Sequence, residues 1–221
     1  MRISVVIPTL TEQRTVRAAI ASAQHTLGDS EVIVVDGGSI DGTVAAAREA
    51  GAQVLVERGP RAVAMNAGAS RATGDALLFL HADTELPPGA GDAVRAVLAQ
   101  ADGGAFRLGF DERPPGWRTL SALYSRTSRI AYGDQAIFCT RTSFARLGGY
   151  RPLPIMEDYD LVKRLRRTGR FVVVPLTVRC SSRRHRSQGE LRTIARIGVI
   201  KVLYRLGAPP SVLARAYRPA R

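Results

Sequence analysis

The residues of this sequence best equipped for chemistry are acids and a histidine at the ends of apolar runs. Ala76-Leu77-Leu78-Phe79-Leu80 leads into His81 and Asp83, and Pro87-Pro88-Gly89 then breaks the element. Glu31-Val32-Ile33-Val34-Val35 leads likewise into Asp36, followed by Gly37-Gly38-Ser39. Short apolar runs bounded by turn residues predict buried strands of a parallel sheet. In open α/β sheets, ligands bind just beyond the carboxyl ends of such strands. A carboxylate placed there accepts hydrogen bonds from a base or ribose, or coordinates a divalent cation beside a pyrophosphate. Asp83 has a plainer alternative, as the cap of a helix starting near Pro88. Glu12 lies near a third strand end. Glu157-Asp158, at a predicted helix start, offers a candidate general base. The plainer reading is that Asp158 and Asp160 are first-turn acids favoured by the helix dipole.

These residues need a frame. Ile3 to Ile7 reads as a first strand, after which Thr9 or Thr11 caps a helix reaching about His25, with Glu12 in its first turn. Glu31 to Asp36 is the second strand, and Asp41-Gly42-Thr43 opens an Ala-rich helix ending at Gly51. Val54 to Val56 is the third, and a helix from Pro60 runs through Asn66 to about Thr73. Strands alternating with helices of this length predict βαβ units with right-handed crossovers, hence an α/β fold with a mostly parallel sheet. After a helix from about Pro88 to Gln100, the Gly-rich stretch 103–110 reads as an exposed or edge strand. Residues 111–116 are turn-rich and place a boundary there, giving two halves, 1–110 and 111–221, within one domain. Residues 117–130 read as helical, Gln135 to Thr140 as a strand and Thr142 to Leu147 as a short helix. Glu157 starts an amphipathic helix capped by Gly169. Phe171 to Val174 and Leu176 to Cys180 read as two strands separated by Pro175. A last helix, Leu191 to Leu206, carries an apolar seam at Leu191, Ala195, Val199, Val202 and Leu206.

Composition narrows the class. The chain of 221 residues is 45% hydrophobic and 23% charged, which is ordinary for a globular protein. Its net charge of +13 is unevenly placed. Residues 1–110 hold 9 Lys/Arg against 12 Asp/Glu, and residues 111–221 hold 23 against 7. The second half should attract phosphates, polyanions or an anionic membrane surface. Cys139 and Cys180 form neither a disulfide framework nor a zinc spacing, and Cys139 reads as packing. No signal peptide and no apolar span of membrane length is evident, so a cytoplasmic protein is expected. No Gly-x-Gly-x-x-Gly precedes Asp36 and no P-loop occurs, which argues against a dinucleotide oxidoreductase and a P-loop NTPase. Arg61 near a helix N-terminus suits an anion, and Arg183-Arg184-His185-Arg186 could clamp a diphosphate. A nucleic-acid-binding module is the weakest reading, because the basic stretches lack clustered aromatics.

Val5-Val6-Ile7-Pro8-Thr9 with Glu12, then Val34-Val35-Asp36-Gly37-Gly38-Ser39 with Asp41-Gly42-Thr43, resembles the N-terminal half of family 2 glycosyltransferases. Met65-Asn66-Ala67-Gly68, Leu78 to Thr84, Gly104 to Arg107, Tyr132-Gly133-Asp134-Gln135 and Met156-Glu157-Asp158 resemble the bacterial arsenosugar-biosynthesis subgroup associated with radical-SAM proteins. The resemblance implies the GT-A fold and an inverting, metal-dependent transfer from a nucleoside diphosphate sugar, of UDP or GDP type, to a hydroxyl-bearing acceptor. It implies donor contacts from Pro8, Thr9, Glu12, Asp36, Arg61, Asn66, His81 and Asp83. Asp158, with Glu157 beside it, would be the base. Asp134, Gln135 and Arg184 would serve the acceptor or phosphates. Asp83, and more remotely His185, would hold Mn²⁺ or Mg²⁺. His81-Ala82-Asp83 stands where the wider family has Asp-x-Asp, Thr11 where it has Asn, and Ala64 where the subgroup has Gln. The acceptor is left between a small molecule and a polyprenyl phosphate. The basic last helix is left between intramolecular packing, a homodimer contact and peripheral contact with a membrane.

Overall fold

A computed structural model describes residues 1–110, 131–181 and 190–216. Eight strands form one sheet in the order β3-β2-β1-β4-β7-β6-β8-β5. They are β1 (Ile3–Thr9), β2 (Ser30–Asp36), β3 (Gln53–Val56), β4 (Ala76–Phe79), β5 (Thr84–Glu85), β6 (Gly103–Phe110), β7 (Ile137–Thr140) and β8 (Phe171–Cys180). β1 to β4 run parallel, joined by α1 (Val16–Leu27), α2 (Thr43–Glu49) and α3 (Arg61–Arg71). β7 enters antiparallel between β4 and β6, and β8 pairs parallel with β6 and antiparallel with β5. The remaining helices are α4 (Ala90–Leu98), α5 (Arg141–Arg146), α6 (Glu157–Thr168), α7 (Glu190–Arg205) and α8 (Pro210–Ala216).

The near-continuous apolar strands are explained by cover on both faces. Successive side chains point to opposite sides of a sheet. Ile3, Val5, Ile7, Val34 and Leu78 therefore pack under α1, α2 and α4. Val6, Ile33, Val35, Leu77 and Phe79 pack under α3, α5 and α6. A third, smaller cluster joins Tyr132, Met156 and Tyr159 to Ile200 and Leu213 of α7 and α8.

Four expectations are corrected. Helix α1 begins at Val16, not after Thr11, because loop 11–13 spends its amides on the neighbouring loop. Thr11 N–H donates to Ser39 Oγ (2.8 Å), Glu12 N–H to Thr43 Oγ1 (2.8 Å) and Gln13 N–H to Asp41. Strand β6 is interior rather than an edge. Its glycines permit close approach: a Cβ on Gly104 would stand 2.5 Å from both Phe138 Cζ and Val172 O. Residues 171–180 form one strand, with Pro175 in an irregularity where Ala105 pairs Val173 and Arg107 pairs Thr177. A proline cannot donate to the ladder, so the register slips there instead of ending. Gln135 lies in a 3-10 turn, Gly133–Gln135, rather than in β7. The breaks expected at 111–116 and the helix expected at 117–130 fall outside the described residues, as does the Arg183–Arg186 run.

The terminal seam is also redrawn. Val199, Val202 and Leu206 are 57%, 54% and 80% exposed, while Ile200 faces the interior. The side chains of Leu191 and Ala195 are outside the described set. Among the described side chains of α7, Ile200 and Tyr204 pack inward while Val199, Val202 and Leu203 are exposed. Among the described residues, no helix is long and apolar enough to cross a membrane.

Candidate active site

The carboxyl ends of β1, β2 and β4 bring Thr9, Asp36 and the 81–83 segment to one edge of the sheet. Asp36 is buried and accepts four hydrogen bonds. Gly38 N–H (2.9 Å) and Ser39 N–H (2.8 Å) donate to Oδ1, and the Thr9 (3.1 Å) and Ser39 hydroxyls donate to Oδ2. A carboxylate offers about four lone-pair sites, so Asp36 organises its own loop. Pro8 pairs with Val35 in the β1–β2 ladder. Glu12 accepts from the Thr15 hydroxyl at 3.0 Å.

Asp83 does not cap the following helix. The residue preceding α4 is Gly89, and no side chain caps that helix. Asp83 precedes β5 instead, accepts the Ser181 N–H on its carbonyl and lines a cleft with Arg14, Thr15, Arg179 and Ser181.

A second group converges beside it. Arg61, at the start of α3, donates from Nε to Glu157 Oε1 at 2.6 Å. Its Nη1 lies 3.3 Å from His81 Nε2. Arginine offers only donors, so Nε2 is the acceptor in this contact. Glu157 and Asp158 are buried at the start of α6, whose preceding residue, Met156, has φ 66°. Ala136, after the 3-10 turn, has φ 46°. Left-handed conformations are costly for residues with a Cβ, and two of the three non-glycine examples among the described residues flank this group.

Asp158 accepts the Gly133 N–H on Oδ2 (2.5 Å) and the Tyr159 N–H on Oδ1 (2.7 Å). Among the described residues these two donors take about half of its lone-pair sites, whereas those on Asp36 take about all. A Cβ on Gly133 would stand 2.7 Å from His81 Nε2 and 2.9 Å from Asp158 Oδ2, which places those two side chains together over the glycine.

Asp134 lies within electrostatic reach of Asp158, Asp83, Lys201 and Arg61. Among the described residues its buried Oδ1 has no hydrogen-bond partner. Burial pushes its carboxyl pKa up, and the two neighbouring carboxylates add to this against Lys201. Asp83 and this orphaned oxygen are hard oxygen donors of the kind Mg²⁺ and Mn²⁺ take. Among the described residues no three metal-ligating side chains form a closed cage. His185 and Arg184 lie outside the described residues.

Other expected contacts have structural duties. The Asn66 amide donates to Tyr150 O (2.8 Å) and accepts from Tyr150 N (2.9 Å), clamping α3 to the loop before α6. The Gln135 amide accepts from Tyr132 N (3.0 Å) and donates to Phe106 O (2.9 Å), fixing the 3-10 turn. Cys139 is buried packing, its thiol pushed up to about 12 by burial. Sequence reasoning missed Gly133 as the donor to Asp158, and it missed Lys201. The Lys201 ammonium stands 3.6 Å from the Tyr132 ring centroid.

Taken together, this is a Rossmann-like α/β domain with its polar side chains gathered at the carboxyl edge of the sheet. The chain belongs to glycosyl transferase family 2, whose model matches residues 4–147. It is 41% identical over 181 residues to a PGL/p-HBAD biosynthesis glycosyltransferase of Mycobacterium tuberculosis. That match spans 71% of this chain and 66% of the relative's length. Over 153 residues it is 31% identical to the undecaprenyl-phosphate 4-deoxy-4-formamido-L-arabinose transferase of Enterobacter, spanning 60% and 46% of the two chains. The fold is that of the mannosyltransferase PcManGT of Pyrobaculum calidifontis, solved with GDP-Man and Mn²⁺. The TM-score is 0.65 at 19% identity, over 97% of this chain and 68% of that one. The GT-A expectation is met.

Proposed function

We propose that this protein transfers a sugar from a nucleoside diphosphate sugar to an acceptor hydroxyl, with inversion at the anomeric carbon. The observation that carries the proposal is the seating of Asp158: buried, held by two N–H donors, and grouped with His81, Asp134 and Arg61 at the carboxyl edge of a GT-A sheet. Asp158 takes the acceptor proton as that oxygen bonds to the anomeric carbon. The carbon–oxygen bond to the diphosphate breaks, and its electron pair leaves with the nucleotide. Asp36 reaches the donor base when the Ser39 or Thr9 hydroxyl swings aside. Arg61 holds Glu157 and His81 in register. Asp83 and Asp134 would hold a divalent cation, which would supply Lewis-acid stabilisation of the diphosphate leaving group. The narrower resemblance to the arsenosugar subgroup rests on its motifs alone and names no acceptor.

A thermal-shift panel of UDP-, GDP- and dTDP-sugars with Mn²⁺ or Mg²⁺ tests the donor site. At a hundredfold excess over Kd, one nucleotide class should raise Tm by about 5–10 °C. The shift should require the cation, and Asp83→Ala should remove it. Absence of a shift with every donor in the wild-type protein would overturn the proposal.

A lipid acceptor is favoured by one further observation. Val199, Val202 and Leu203 on α7, Leu206 just after it and Val212 on α8 are exposed apolar side chains, and Arg215 on α8 is exposed too. The undecaprenyl-phosphate relative points the same way. Co-sedimentation with anionic vesicles at physiological salt should succeed, and should fail for Leu206→Asp. Efficient turnover of a water-soluble acceptor without lipid would count against this reading.

A further inference from the structure

We propose that Lys201 is a positioning residue of the transfer site, brought in by the C-terminal helix to hold the turn that seats the base. The proposal rests on the assignment of Asp158 above. The contacts form an unbroken series. Ile200 and Tyr204 pack α7 against Tyr132, Met156 and Tyr159, with the Tyr159 and Tyr204 rings edge-to-face at 5.3 Å. Between them, Lys201 sets its ammonium over the Tyr132 ring. Tyr132 opens the 3-10 turn, which Gln135 ties to Phe106 and which presents the Gly133 N–H to Asp158.

Charge supports the same role. Asp134 couples electrostatically to Asp83 and Asp158, with Lys201 and Arg61 the opposing cations. Arg205, one turn further along α7, lies over Tyr159 and repels Lys201. Burial disfavours the Lys201 ammonium, and Asp134 and Asp158 sustain it. Residue type matters as well. The chain holds 30 Arg and only two Lys, Lys163 and Lys201. A compact ammonium fits over a ring inside the protein, where a wider planar guanidinium would need more room.

Two measurements decide the matter. The first does not depend on sugar transfer. Lys201→Met should lower Tm by about 2–6 °C, since it strips a counter-charge from buried carboxylates. Asp134→Asn added to Lys201→Met should restore part of that loss. An additive double mutant overturns the pairing, even if the protein proves not to be a transferase. The second is kinetic. Lys201→Met should lower kcat by about 10–100-fold with donor KM within about twofold. Lys201→Arg, which keeps the charge on a wider head, should recover only part of the kcat. An unchanged kcat in Lys201→Met, or Lys201→Arg as slow as Lys201→Met, overturns the positioning role. A wild-type protein that binds no nucleotide sugar overturns the transferase assignment, and with it the positioning role, while leaving the ion pairing to the thermal cycle.

Discussion

Asp158→Asn is expected to lower the transfer rate by about 10²–10⁴-fold, the usual contribution of a positioned general base. The donor should still bind, because Asp83 and Asp36 are untouched. The substitution has a structural cost as well. Both carboxylate oxygens accept backbone N–H groups, from Gly133 and from Tyr159. An asparagine amide must turn its own NH₂ toward one of them, losing a bond worth about 1–3 kcal/mol. Transfer and thermal unfolding should therefore be measured on the same preparation. A folded Asp158→Asn protein that transfers sugar at the wild-type rate would remove Asp158 from the mechanism.

Gly133→Ala carries the second large effect, and it needs no change in any ionisable group. The added methyl would meet His81 Nε2 at 2.7 Å and Asp158 Oδ2 at 2.9 Å, closer than a Cβ can sit. Neither neighbour retreats easily. His81 is held by Arg61, and Asp158 by the N–H of the substituted residue itself. Overpacking of this kind costs about 1–3 kcal/mol, or a Tm lower by about 2–10 °C. Displacing a base by a fraction of an ångström to an ångström should lower transfer by about 10²-fold. A Gly133→Ala enzyme with full activity and unchanged Tm would mean that this crowded geometry is wrong.

Much of this architecture was readable from pattern. The apolar runs ending in Asp36 and His81 gave strands buried on both faces, because a short run with turn residues at each end has few other uses. What escaped had physical causes. The glycines of β6 read as an exposed edge, yet they are glycines because Phe138 and Val172 press on them from both sides. Pro175 read as a strand end, yet a slip in register absorbs it. Thr11 read as a cap, whereas the loop amides turn to Ser39, Asp41 and Thr43, partners some thirty residues away that no local rule can see. The resemblance to known glycosyltransferases directed attention to residue 158, but not to its donor at 133. Near the C-terminus Val199, Val202 and Leu206 of the expected seam are exposed, while Ile200 beside them packs inward. The scarcity of lysine was the one available sign that position 201 differed from its arginine-rich surroundings.

The entry of β7 between β4 and β6 has a consequence for how the polypeptide is made. Strands β1 to β4 can assemble among themselves, but Ala76, Leu77, Leu78 and Phe79 then present an open ladder, which residues 137–140 later close. An uncovered apolar ladder is a template for pairing with other chains. A nascent polypeptide halted before residue 137 therefore carries a sticky margin that the finished one conceals.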